Sequence, residues 1–294
     1  MGLKISIITP SYNQVKFLPE CLRSVQKQSL PVMEHLIYDP GSTDGSRDLV
    51  AKFPHANLIA ESDQGQSDAV SKGFLAAKGD IIGWLNSDDC YTTSDVVEAV
   101  VKRFQEPDSP DIVYGRGTYI NEHSKPIRDA YVNESPETLS WRLHQEVGIL
   151  QPALFMKRSV IEKIGTLSED LNFCMDYEYW IRAVQAGLKF VFIPKTLAYA
   201  RYYEDNKTLG QRGKSLQEIC DTVKSQFGYV HIRWIGRYAE FLAEGFDGIL
   251  KNSKNTFTTN KEVVEDKINK LLTIYNTDYD TLKLLKKNCN TKPY

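Results

Sequence analysis

No apolar run in this 294-residue chain approaches the roughly 20 residues that a bilayer-spanning helix needs, and the N-terminus lacks the pattern of a secretory leader. The expectation is a cytoplasmic protein, with peripheral contact at the inner face of a membrane left open. Cysteine is scarce and scattered: Cys21, Cys90, Cys174, Cys220 and Cys289 form an odd set without a C-x-x-C spacing, which argues against a disulfide framework and a zinc site. The five histidines are dispersed and none pairs with another at i, i+4, so a zinc hydrolase is not indicated. Charge of one sign is also lacking. The formal net charge of -2 removes the strongly basic face by which nucleic-acid binders are recognised. What remains, 41% hydrophobic and 25% charged residues, is ordinary for a globular chain large enough for one big domain and a smaller appended part.

From residue 3 to about 115 short apolar runs alternate with helical stretches, the signature of βαβ units and a mostly parallel, Rossmann-like α/β sheet flanked by helices. Strands are expected at 5–8, 35–38, 57–60, 81–85 and 112–114, and helices at 15–28, at 68–78 and around Val96 to Phe104. Beyond 115 the alternation is irregular. A short strand is read at 119–121, helices up to Ile164 and over 176–186, and paired strands at 190–193 and 197–200. After Lys207 the pattern is helical, with breaks near Gly228 and over 252–259. The expected division is a domain over 1–206, with halves 1–115 and 116–206, and a C-terminal helical extension over 207–294.

Three strands run into polar clusters. Ile5-Ser6-Ile7-Ile8 leads to Thr9-Pro10-Ser11-Tyr12-Asn13-Gln14, His35-Leu36-Ile37-Tyr38 to Asp39-Pro40-Gly41-Ser42-Thr43-Asp44-Gly45, and Ile81-Ile82-Gly83-Trp84-Leu85 to Asn86-Ser87-Asp88-Asp89. Open parallel sheets bind ligands beyond the carboxyl ends of their strands. Mg²⁺ or Mn²⁺ takes one or two carboxylates plus substrate phosphate oxygens, so a cation and a diphosphate suit this edge. Taken alone, Asp88 and Asp89 read as helix caps and Asp39-Pro40-Gly41-Ser42 as a turn. Their convergence on one edge favours a shared ligand site.

Over residues 3 to 205 the chain resembles a family 2 glycosyltransferase of the GT-A fold. The motifs that carry this, in order, are residues 9–14, 39–45, Asp63-Gln64-Gly65-Gln66-Ser67-Asp68-Ala69, 79–89, Gln151-Pro152 and Asp176-Tyr177-Glu178-Tyr179-Trp180-Ile181-Arg182. The resemblance implies that Thr9, Pro10 and Tyr12 line the nucleotide base and that Asp39 accepts from it, through a uracil-type imide. It implies that Asp88 is the ligand of Mn²⁺ or Mg²⁺, that Asn86 and Ser87 lie against ribose or a metal-bound water, and that Asp89 stands behind them. Asp176 takes the place of the catalytic base, which acceptor hydroxyls need to become nucleophiles. Glu178 is the alternative base, and a helix-capping role for Asp176 stays open.

The chain departs from the family in four places. Asn86-Ser87-Asp88 stands at the position of the family's Asp-x-Asp motif, with asparagine in the first place. Met175 replaces a frequent acidic residue. Ala69-Val70-Ser71 stands where relatives carry Ala-Arg-Asn, leaving Asp68 and Lys72 to compensate at the donor site. Residues 201–207 hold no histidine, so Arg201 and Lys207 become the phosphate partners.

The implied function is an inverting, metal-dependent transfer of a sugar from a nucleotide donor, UDP-linked by expectation, to a glycan or lipid-linked acceptor hydroxyl in bacterial surface polysaccharide or glycan assembly. Two alternatives stand beside it. One is a silent relative that binds carbohydrate or acts as a scaffold. The other is a sugar nucleotidyltransferase, disfavoured because residues 9–14 contain neither glycine nor a basic residue. The apolar face of Ile232, Trp234, Ile235, Tyr238, Phe241 and Leu242 reads as core or dimer contact, and Lys283, Lys286, Lys287 and Lys292 as a solvated end with an option on anionic lipid. Oligomeric state is not legible.

Overall fold

The computed structural model describes residues 2–203, 206–244 and 261–275. These fall into two compact units, one of the described residues up to 140 and from 147 to 206, the other of residues 141–146 with the described residues from 207 to 275.

In the first unit β1 (Ile5–Pro10), β2 (Glu34–Tyr38), β3 (Ala56–Ile59) and β4 (Ile81–Trp84) are mutually parallel in the spatial order β3-β2-β1-β4. β1 and β4 are buried along their whole length, which is why neither alternates apolar residues with exposed polar ones; the polar Ser6 and Thr9 of β1 are themselves buried. The sheet continues through β8 (Leu154–Lys157), β6 (Ile112–Ile120), β9 (Phe190–Arg201) and β5 (Cys90–Tyr91), with β7 (Pro126–Asp129) hairpinned onto β6. Past β4 the pairing is mixed: β8 is antiparallel to both neighbours, whereas β6 and β9 run parallel.

The parallel pattern expected from sequence holds across β3-β2-β1-β4 and returns in the β6–β9 pair, with antiparallel pairing at β8, β7 and β5. The strands expected at 190–193 and 197–200 are one strand, since Pro194 and Lys195 fall at a register shift against β6 rather than in a turn. The separate strand at 119–121 is the end of β6.

Helix α1 (Leu18–Gln26) buries Leu18, Cys21, Leu22 and Val25, spaced i, i+3, i+4 and i+7, and begins three residues later than its apolar pattern does. With α2 (Ser46–Val50) it packs on Ile37 of β2, where Leu18, Leu22, Ile37 and Val50 form a closed cluster. The next strand residue, Tyr38, points the other way, toward Gly73 of α3 (Gln66–Ala76). Helices thus cover both faces. α4 (Val96–Phe104) buries four valines and Phe104, so packing outweighs the modest helix propensity of Val. α5 (Leu139–Arg142), α6 (Arg158–Ile164) and α7 (Met175–Gln185) complete the series, and Phe74 of α3 meets Tyr179 of α7 at 5.9 Å between ring centroids.

The second unit holds α8 (Lys207–Gly210), α9 (Arg212–Phe227), α10 (Ile232–Glu244) and α11 (Lys261–Ile274). α9 stops at Gly228, whose φ of 81° is the left-handed conformation glycine adopts freely. Trp234 and Ile235 of the apolar face are buried, together with Leu216, Cys220 and Val223. His144 stacks on Phe227 at 3.7 Å and bonds to the Tyr229 hydroxyl at 2.7 Å, which explains why residues 141–146 belong to this unit. The four lysines from Lys283 to Lys292, Cys289 and the break at 252–259 lie outside the described residues. Among the described residues no helix is long and apolar enough to cross a membrane.

Candidate active site

The parallel register of β1 with β2 and β4 puts the ends of all three strands on one rim. The loops beyond β1 and β2 are stitched together there. Asn13, at a φ of 51°, donates its N–H to Ser42 Oγ at 2.8 Å and accepts the Thr43 N–H on Oδ1 at 3.0 Å. These bonds hold Asn13 in a left-handed conformation that asparagine tolerates better than most residues. Tyr12 is left 61% exposed on this rim, while Pro10 beneath it is buried.

Asp39 is fully enclosed. Its Oδ1 accepts the N–H groups of Gly41 at 3.0 Å and Ser42 at 2.7 Å and the Arg47 Nε at 3.0 Å. Arg47 also reaches the Asp39 carbonyl at 2.8 Å. Burial pushes the carboxyl pKa up, but bonds from Ser42, Arg47 and Gly41 outweigh it and the net displacement is downward, so the group is anionic. Its other oxygen, Oδ2, is buried without a protein partner. Buried acceptors are rarely left so, and a ligand N–H is one resolution.

Thr9 corrects an expectation. It presents no surface, and its hydroxyl donates to the Leu85 carbonyl at 2.7 Å and lies 2.9 Å from His35 Nε2. Thr9 ties β1, β2 and the end of β4 together instead of lining a base. Asp68 sits in the first turn of α3, accepting the Gln64 N–H at 2.8 Å and pairing with Lys72 at 3.1 Å. Those bonds prevail over burial and lower its pKa. Asp68 and Lys72 thus neutralise each other, and Lys72 is not a free stand-in for an arginine.

At the end of β4, Asn86 is engaged by Trp84, Gln66, Gln151 and Asp89, so its amide is turned inward rather than toward a ribose or a metal-bound water. Ser87 is buried and Asp88 partly exposed. Asp89 is 5% exposed and accepts the Arg201 N–H on Oδ1 at 2.8 Å. Arg201, whose side chain is 1% exposed, is likewise not a phosphate partner. It bonds the carbonyls of Asp88 at 2.9 Å and Asn121 at 2.8 Å and the carboxylate of Glu20 at 2.5 Å, and stacks on Phe17. Lys207 belongs to the second unit, as the first residue of α8.

Burial raises the Asp88 carboxyl, offset in part by its own N–H, Arg201 and Tyr203. Burial and the Asp88 charge push Asp89 up strongly. The Tyr203 hydroxyl, pushed up to about 12 by burial and by Asp88, faces Asp88 Oδ2 at 3.4 Å.

Asp176 lies in the first turn of α7, partly exposed, with Oδ1 accepting the Tyr177 N–H at 2.8 Å. The approach to α7 is fixed to the same rim, because Ser67 at the start of α3 donates to the Leu171 carbonyl at 2.7 Å. Glu178 is turned away. It is 6% exposed and accepts Arg182 Nε at 2.7 Å, while Arg182 also bonds the carbonyls of Ile164 and Thr166.

Three contributors escape the sequence reading. Arg47 and Gln66 lie close along the chain to Asp39 and Asp68, but nothing in their type marks their partner. Tyr203 is 115 residues from Asp88, and no local pattern joins them.

Among the described residues no group of three or more His, Cys, Asp or Glu is arranged to hold a metal ion. The donor set is the carboxylate of Asp88, a partly exposed residue, beside the buried carboxylate of Asp89. Burial raises both without a full set of partners to offset it, which fits a hard cation whose remaining ligands come from a diphosphate.

The solved structures of Staphylococcus aureus TarS with UDP-GlcNAc and of the Pyrobaculum calidifontis mannosyltransferase PcManGT with GDP-Man and Mn²⁺ share this fold. TarS is 16% identical, with a TM-score of 0.63 over 93% of this chain and 82% of that one. PcManGT is 15% identical, with a TM-score of 0.60 over 98% and 80%. An uncharacterized glycosyltransferase of Nostoc sp. is 32% identical over 117 residues, 38% of this chain and 36% of its own, so the chain spans about a third of that relative's length. Residues 6–165 match glycosyl transferase family 2, and with more than half of its length so matched, on a GT-A sheet, this chain belongs to that family.

Proposed function

We propose that the chain transfers a sugar from a nucleotide donor, of the UDP-sugar class, to an acceptor hydroxyl with inversion at the anomeric carbon. The observation that carries this is Asp39: an enclosed, anionic carboxylate with one oxygen spoken for and the other aimed at no protein donor. A uracil imide N–H supplies what Oδ2 lacks, and Tyr12 offers an exposed aromatic face beside it. At the other end of the rim Asp88 faces the diphosphate and, with it, holds Mn²⁺ or Mg²⁺. When bound, the cation neutralises charge on the leaving group.

Asp176 takes the acceptor's proton as the acceptor oxygen bonds to the anomeric carbon and the bond from that carbon to the diphosphate breaks. Glu178 does not compete for the role, being committed to Arg182. A glycan or a lipid-linked saccharide is the acceptor class, in surface polysaccharide or glycan assembly.

Calorimetric titration of UDP-, GDP- and dTDP-sugars, with and without Mn²⁺, against wild type and Asp88→Ala tests this. Manganese-dependent binding of the UDP class, weakened about tenfold or more in Asp88→Ala, is the expected result. Absence of binding by every nucleotide sugar under either condition refutes it.

A further inference from the structure

A closed ring of hydrogen bonds lies under the loop that carries Asp88. Trp84 Nε1 donates to Asn86 Oδ1 at 2.9 Å, Asn86 Nδ2 donates to Gln151 Oε1 at 2.9 Å, and Gln151 Nε2 donates back to the Trp84 carbonyl at 2.5 Å. Two branches leave it: Gln66 Nε2 donates to Asn86 Oδ1 at 2.9 Å, and Asn86 Nδ2 donates to Asp89 Oδ2 at 3.3 Å. The direction of the ring is dictated. An indole nitrogen only donates and a peptide carbonyl only accepts, so Trp84 alone settles which end of Asn86 and of Gln151 faces which partner.

Asn86 therefore uses both functions of its amide, as acceptor for two N–H groups and as donor to two oxygens. An ionised carboxylate of the same shape would accept from Trp84 and Gln66. It would have no hydrogen for Gln151 or Asp89, and it would add a negative charge next to Asp89. Bonds in such rings reinforce one another, and a partly satisfied buried network costs more than its missing member.

We propose that Asn86 is a positioning residue for the Asp88 loop, and that an amide, not the aspartate of the Asp-x-Asp pattern, is what this chain requires there. This rests on the reading that Asp88 faces the donor diphosphate. Asn86 spends both ends of its amide on protein partners. It holds Asp88 through Trp84 on β4, Gln151 before β8 and Gln66 on α3, three elements that meet at this point.

The test uses Asn86→Asp, which restores the acidic pattern, with Mn²⁺ and UDP as probes. Binding of Mn²⁺ in the presence of UDP is followed by electron paramagnetic resonance, and UDP binding without metal by calorimetry. In Asn86→Asp the manganese dissociation constant rises about tenfold or more while metal-free UDP binding is retained. Asn86→Asp with Asp89→Asn, which returns a donor between the two positions, recovers part of the loss. Val100→Ala, a cavity variant in the buried face of α4, lowers the melting temperature but keeps the manganese constant, which separates positioning from general destabilisation. A wild type that binds the pair, with Asn86→Asp equal to it or tighter, overturns the positioning role alone. A wild type that binds neither probe overturns the donor-site reading and the positioning role with it.

Discussion

At the scale of single residues, two carboxylates two positions apart on α7 have opposite surroundings. Asp176 is partly exposed at the helix start, and Glu178 is buried against Arg182. Asp176→Asn is expected to lower turnover about 10²- to 10⁴-fold with the donor dissociation constant unchanged, as measured by initial rates and calorimetry on the same preparation. Glu178→Gln leaves Arg182 without its anionic partner. It is expected to lower unfolding free energy by about 1–3 kcal/mol in urea while a folded fraction still turns over. Should Glu178→Gln abolish turnover at full stability, and Asp176→Asn not, the assignment of the base is reversed.

At the scale of elements, the closeness of α3 to β1 is what lets Gln66 reach Asn86. A Cβ on Gly73 would lie 2.4 Å from Ile8 Cγ2 and 3.2 Å from the Tyr38 ring, with Ile8 itself wholly buried. Helix propensity favours alanine over glycine by about 1 kcal/mol, whereas overpacking a tight core costs about 1–3 kcal/mol. The clash wins, so Gly73→Ala is expected to destabilise the chain and, by lifting the start of α3, to weaken manganese-dependent nucleotide binding. Differential scanning calorimetry and titration check the two halves of this statement, and a rise in melting temperature contradicts it. β9 carries a different joint. Arg201 at its end ties the Asp88 carbonyl, the β6–β7 hairpin and Glu20 of α1 into one cluster, so the acidic loop is held from below by three elements.

At the scale of the whole molecule, buried histidines set an acid limit to stability. His35 is fully enclosed between Thr9 and His55. Burial, reinforced by His55, lowers its pKa from 6.5 to about 3, and burial lowers His55 as well. A group whose folded pKa lies below its unfolded value binds its proton preferentially in the unfolded state. Stability is therefore full above about pH 6.5 and falls as pH drops toward 3, by up to about 1.4 kcal/mol per pH unit for each such histidine. Urea unfolding at pH 7.5, 6.5 and 5.5 is expected to show this slope, and His35→Gln to flatten it. The difference between the two proteins isolates the histidine from the carboxylates that titrate in the same range, and equal slopes refute the account.

The parallel half of the sheet was legible because β1, β2 and β4 are apolar runs whose ends carry turn residues, and α1 and α4 because their apolar spacing is helical. The same local signals placed Asp39, Asp88 and Asp176 at strand or helix ends. Local pattern by itself therefore determined the alternating α/β plan and the rim on which polar residues gather. Which side chains face the rim was decided by tertiary structure. Thr9, Asn86 and Arg201 have the residue types of ligand contacts, yet long-range partners turn all three inward: Leu85 and His35 for Thr9, Gln66 and Gln151 for Asn86, Glu20 and Asn121 for Arg201. The continuous β9, its register shift and the Tyr203–Asp88 contact were equally hidden. They depend on pairing between segments some eighty or more residues apart, where the hydrogen-bond partner, not the residue type, sets the direction a side chain points.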